Sequence, residues 1–202
     1  SFPSDVVELL SYLAPSPQNV PVRAIPGAGS NVPVWLLGSS LFSAALAAEL
    51  GLPFSFASHF APAHLMAALE LYRGRFRPSS TLQKPYAMPA VAVFAAETDA
   101  EARRLFTSLE QAFVQLRRGT PGPLRPPLDG AQALTLMSPM EQAMLEHTFA
   151  YAVVGSKETV RTGLEAFITE THADELMVTA QIYDHEARLR SFELVSQIFR
   201  GV

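Results

Sequence analysis

Apolar positions along the chain alternate between two spacings. Val6, Leu9, Leu10 and Leu13 recur at i, i+3, i+4 and i+7, which marks one face of a helix. Ser4 or Asp5 stands where a cap belongs. Residues 15–31, with Pro15, Pro17, Pro21, Pro26, Gly27 and Gly29, read as a surface connection. Residues 32–37 then form a short apolar run broken by Pro33, the length of a strand buried on both faces. Gly38-Ser39-Ser40 ends that run, and the Ala- and Leu-rich residues 40–50 favour helix. Gly51 closes the helix, and residues 54–58 start a second strand. Strand, small-residue turn, helix and strand in this order predict a parallel α/β sheet.

The same pattern continues downstream. Residues 61–76 carry Leu65, Ala68, Leu69 and Tyr72 on one helical face, with Pro62 in the first turn. A polar loop over 77–86 leads to a third strand at 87–96, where Pro89 must lie near the start because it cannot donate to a ladder. Thr98-Asp99-Ala100-Glu101 is a capping-box pattern opening a helix to about residue 118. Residues 119–130 contain Pro121, Pro123, Pro126 and Pro127 and read as an insertion loop. A helix over 138–153, a second from Gly155-Ser156 to Thr171, a fourth strand at 175–180 and a closing helix over 186–200 complete the prediction.

Composition narrows the class. The chain has 202 residues, enough for one domain with a sizeable core, but a complete TIM barrel takes about 250. A net charge of −4 without a block of Arg argues against a nucleic-acid partner. The absence of Cys removes disulfides and thiolate metal sites and fits a cytoplasmic protein. No apolar run reaches the ~20 residues of a helical membrane span, and the N-terminus has no signal-peptide pattern.

Few residues stand out for chemistry. Gly38, Ser39, Ser40 and Ser43 place hydroxyls and backbone N–H groups at a helix N-terminus, where an anion such as phosphate is favoured. Simple capping by Ser40 explains the same residues. Gly155-Ser156 is a second turn of this kind, for which capping by Ser156 is the simpler reading. His59 ends the second strand, the edge where catalytic groups of parallel barrels collect. Trp35 reads as mid-strand core packing, and His64 and His147 as structural. Asp184 can cap the last helix and pair with Arg188 at i+4. No spacing of His, Asp and Glu suggests a metal site.

Four blocks carry a family resemblance: WLLGSSLFSAALAAELGLPFSFASHFAP, PYAMPAVAVFAAETDAEARRLF, YAVVGSKETVRTGLEAF and ADELMVTAQIYDHEARLRSFELVSQ. In this order they resemble the bacterial-luciferase-like, flavin-dependent monooxygenases, and specifically the C-terminal half of that family's (β/α)8 barrel. The resemblance implies an α/β half-barrel of four parallel strands, a single domain over 1–202 that lacks its N-terminal half. It implies oxygenation of a small organic substrate with O2 and reduced FMN, NAD(P)H-dependent flavin reduction being one source of the latter. Gly38, Ser39, Ser40 and Ser43 would then hold the flavin phosphate, and His59 would line the flavin or substrate pocket. The family's usual catalytic His belongs to the absent half, so no catalytic residue is assigned. The alternative is a flavin-binding or purely structural half-barrel without catalysis. Half a barrel leaves two sheet edges and an apolar inner face open. Three outcomes follow: a trimmed longer protein, a homodimer, or pairing with a separate N-terminal half.

Overall fold

Five parallel strands and eight α-helices alternate among the residues that the computed structural model describes, 1–15 and 21–199. Pro17 of the first connection and Arg200 of the closing helix lie outside them. The strands are β1 (Leu36–Gly38), β2 (Phe54–Phe56), β3 (Ala87–Ala96), β4 (Val153–Ser156) and β5 (Met177–Thr179). The helices are α1 (Phe2–Leu13), α2 (Leu41–Leu50), α3 (Leu65–Arg75), α4 (Asp99–Arg117), α5 (Gly130–Thr135), α6 (Pro139–Thr148), α7 (Lys157–Thr171) and α8 (His185–Phe199). The expected α/β architecture is therefore present.

β3 is the axis of the sheet. Ala87–Pro89 pair with β2, Ala90–Ala92 with β5 and Val93–Ala96 with β4, while β1 pairs only with β2. Side chains of a strand alternate between faces, and β3 shows the consequence. Val91, Val93 and Ala95 join one buried cluster with Phe54, Phe56, Tyr72, Leu164 and Leu194, whereas Ala92, Phe94 and Ala96 join a second with Phe106, Leu109 and Phe149. The first cluster glues the sheet to its helices. The second lies on the opposite face, under α4 and α6. Full burial of Phe54 or Phe56 contributes about 1.5–3 kcal/mol each.

Several boundaries differ from the pattern, for physical reasons. The first strand is only Leu36–Gly38, because its sole partner, β2, is itself three residues long. Trp35 consequently precedes the strand and is half-buried, its ring set edge-on against Tyr86 at 5.7 Å, so mid-strand core packing is corrected. The helix expected over 61–76 begins as a 3-10 turn, Pro62–His64, before α3. The helix expected over 138–153 stops at Thr148, and β4, absent from the prediction, follows it. β4 is strand only by virtue of its pairing with β3. His64 and His147 are both exposed.

α4 and α6 are tied end to end. Ser138 and Glu141 form a reciprocal capping box, and Arg118 donates to both Glu141 carboxylate oxygens at 2.7 and 2.9 Å. These bonds, led by the Arg118 guanidinium, depress the Glu141 pKa to about 2. A depressed carboxylate pKa adds stability that is complete above the unfolded value and lost as pH falls through the folded one. Thermal melts from pH 5 to 2 should therefore show a loss between about 4.5 and about 2 that Glu141→Gln removes. Identical pH profiles for the two proteins would refute it.

Candidate functional site

The C-terminal ends of β1 and β2 meet side by side. The Ala57 N–H donates to the Gly38 carbonyl at 2.9 Å, so the turn after β1 and the segment carrying His59 share one edge of the sheet. Buried Ser55 and Ser58 fasten this edge to β3, donating to the Met88 and Ala90 carbonyls at 2.7 and 2.6 Å. Crossing from strand to strand, these hydroxyls add side-chain bonds to the junction of β2 and β3.

The turn after β1 is built around Gly38. A Cβ there would overlap the Oγ and Cβ of Ser43, so the Ser43 side chain occupies the space that any other residue would need. Ser43 is held in place because its hydroxyl donates to the Ser40 carbonyl at 2.8 Å, while the Ser40 hydroxyl caps α2 by accepting from the Ser43 N–H at 3.4 Å. The expected cap is thus present. Ser39, Ser40, Leu41 and Phe42 are exposed around it and Ser43 is buried. The first N–H groups of a helix have no intrahelical partner. α2 therefore presents those of its first turn, with the Ser39 and Ser40 hydroxyls, to whatever lies beyond the sheet edge.

Gly155-Ser156 looks alike in sequence but is filled. The Asp99 carboxylate accepts from the Ser156 N–H at 2.6 Å and the Thr159 hydroxyl at 2.8 Å, and a Cβ on Gly155 would lie 2.7 Å from its Oδ1. These hydrogen bonds hold the Asp99 pKa below the ordinary carboxylate range. The protein supplies its own anion to this turn, which leaves no place for a phosphate. Gly155 and Ser156 are the last residues of strand β4, and the Ser156 side chain makes no cap to α7, contrary to the sequence reading. Asp99, read there as part of the capping box of α4, instead spans the gap to α7.

His59 borders a cavity of about 140 Å³ with Ala92, Phe94, Phe113, Phe149 and Thr179. Its Nδ1 is buried without a hydrogen-bond partner among the described residues, and Phe60 packs edge-on to the ring at 4.6 Å. Burial lowers the His59 pKa, so the ring is neutral near pH 7. Between its folded and unfolded pKa values the unfolded chain binds the extra proton, so stability is full above about 6.5 and falls as pH drops through the folded pKa. His59→Gln should lower that dependence in urea titrations from pH 8 to 5. An unaltered slope would contradict the burial of the ring.

Thr179 and Gln181 of the cavity wall were not singled out in sequence, although their i, i+2 spacing on and beyond β5 signals a shared face. Phe113 and Phe149 carried no signal at all. At the start of α8, Asp184 caps as expected by accepting from the Ala187 N–H at 2.8 Å. Arg188 does not pair with it but lies 2.9 Å from His185 Nδ1. No cluster of His, Asp and Glu that could hold a metal occurs among the described residues, and no described helix is long and apolar enough to cross a membrane.

Comparison with known proteins adds an independent finding. Residues 11–175 match the family described as luciferase-like monooxygenase. A luciferase-like monooxygenase of Escherichia coli K12 is 51% identical over 198 residues, covering 98% of this chain and 58% of the relative. Among solved structures, apo-MsnO8 superposes with a TM-score of 0.82 at 33% identity, covering 98% of this chain and 59% of the other. The oxygenating constituent of 3,6-diketocamphane monooxygenase from Pseudomonas putida, solved with FMN, shares the fold at TM-score 0.55 and 22% identity, over 85% of this chain and 48% of the other. The chain thus spans less than two thirds of the length of these relatives.

Proposed function

This chain belongs to the luciferase-like monooxygenase family, and from that premise we propose that it forms the phosphate-binding side of an FMN-dependent monooxygenase acting with O2 on a small organic substrate. The Gly38–Ser43 turn carries this reading. Its residues fit a phosphate: the close contact of Gly38 with Ser43 shapes the turn, Ser43 locks it through the Ser40 carbonyl, and Ser39 and Ser40 stand exposed beside the first turn of α2. A dianionic group there meets hydroxyl and N–H donors and the positive end of a ten-residue helix.

When bound, reduced flavin supplies the electrons for O2 activation, whether it is reduced by NAD(P)H on the protein or elsewhere. The chain's own residues position and shield. His59, neutral and with an Nδ1 unpartnered among the described residues, borders a cavity lined by Phe94, Phe113 and Phe149 together with Thr179 and Gln181. Phe94, Phe113 and Phe149 give that cavity its apolar wall, which strengthens any hydrogen bond made against it. In the cell we place the protein in the cytoplasm. The open edges of β1 and β5 are covered by the rest of a barrel or by a second copy, which sedimentation of the intact protein distinguishes.

Fluorescence titration tests the central point. FMN should bind about tenfold or more tightly than riboflavin, which lacks the phosphate, because charge-assisted hydrogen bonds contribute about 1.5–3 kcal/mol. Equal affinity for the two flavins would remove the phosphate from the turn.

A further inference from the structure

Phe149 lines two cavities at once. On one side is the His59 cavity of about 140 Å³; on the other is a cavity of about 410 Å³ between α4, α5 and α6, bordered by Phe106, Thr107, Glu110, Met137 and Leu145. The smaller volume falls below the ~300–1,000 Å³ of a typical small-molecule site, and the larger falls within it. Among the described residues Phe149 is the one that borders both, and it sits in a cluster of aromatic rings. Phe149 packs edge-on to Phe106 at 5.3 Å and to Phe113 at 4.7 Å, and Phe106 in turn to Phe94 at 4.9 Å. The backbone of Phe149 is fixed as well, since its N–H donates to the Leu145 carbonyl and its own carbonyl accepts from Ala152, both at 2.8 Å.

We propose that Phe149 is a specificity-determining residue: its ring closes the His59 cavity against the larger one and sets the greatest length of an apolar substrate. The inference rests on the reading of the His59 cavity as substrate space. A substrate whose polar end meets His59 extends towards Phe149 and stops there. With the ring removed, the same substrate class grows into the space beside α4 and α6, whose lining includes the Glu110 carboxylate and its ion pair with Arg103 at 2.8 Å. Longer substrates would then gain most if their far end carries a hydroxyl or amine that this pair can meet.

Calorimetric titration with primary alcohols of about four to fourteen carbons tests this without flavin. Each carbon buried in an apolar cavity tightens binding about fourfold. For the wild type the gain should end at a short chain length. For Phe149→Ala it should continue for at least about three further carbons, and for the milder Phe149→Leu for fewer. Ala133→Phe, which fills the larger cavity from α5, should cancel the extension when combined with Phe149→Ala; this separates true joining of the cavities from binding in the hole left by the ring. Thermal melts confirm that each variant is folded. The same limiting length in wild type and both Phe149 variants would overturn the assignment of Phe149. Failure of any alcohol to bind the wild type, or indifference of short alcohols to His59→Trp, would overturn the substrate cavity and the proposal with it. Loss of FMN preference would leave both untouched.

Discussion

Gly38→Ala should abolish the preference for FMN over riboflavin and destabilise the protein by about 1–3 kcal/mol. The added Cβ overlaps Ser43 Oγ and Cβ, and Ser43 cannot swing aside without giving up its hydrogen bond to the Ser40 carbonyl. The turn must then open, which moves the first N–H groups of α2 away from the anion. FMN affinity should fall about tenfold or more, while riboflavin affinity changes little, because the loss is confined to the phosphate. The overlap makes a second expectation available. In a Ser43→Gly background the steric cost of Gly38→Ala should shrink, since both overlapping atoms are gone, although glycine in a helix itself costs about 1 kcal/mol. Fluorescence titration and urea melts of the four proteins measure the coupling, and strictly additive effects would show that Ser43 is not the obstacle.

Tyr72 carries the largest expected effect on stability. Its ring is fully buried between Phe54 and Phe76, at 5.3 and 5.7 Å, and its hydroxyl joins two strand starts. It donates to the Leu52 carbonyl at 2.9 Å and accepts from the Tyr86 N–H at 3.1 Å, just before β2 and β3 respectively. Tyr72→Phe keeps the ring and leaves two buried backbone groups without their partner, a cost of about 1–3 kcal/mol or a Tm lower by roughly 2–12 °C. Tyr72→Ala adds a cavity and should cost about 3–5 kcal/mol or more. Because these contacts lie at the opposite end of the strands from His59 and Gly38, FMN affinity of the Phe variant should be unchanged at temperatures where it is folded. A Phe variant as stable as wild type would mean that water replaces the hydroxyl.

The two sites contrast in how far the chain's own order reveals them. At Gly38-Ser39-Ser40, cap, helix and donors lie within six residues, 38–43, so local spacing was sufficient to mark the turn. At Gly155-Ser156 the same local chemistry was cancelled by Asp99, which reaches the Ser156 N–H from 57 positions away. Nothing near residue 155 could announce that carboxylate. His59 was legible as the end of a strand, but its desolvation and its unpartnered Nδ1 arise from aromatic residues on β3, α4 and beyond α6.

By itself the sequence determined most of the alternation of helix and strand, the parallel sheet and the serine-capped turn before α2. Those features follow from apolar period, glycine and capping hydroxyls, which act within a few residues. Tertiary structure alone decided that residues 153–156 are a strand, that Trp35 leaves the core and that Phe149 divides two cavities. Each of these depends on a partner far along the chain: β3 for β4, a three-residue β2 for Trp35, and α4 for Phe149. A residue's spacing fixes which way it faces; only the packing fixes what it meets.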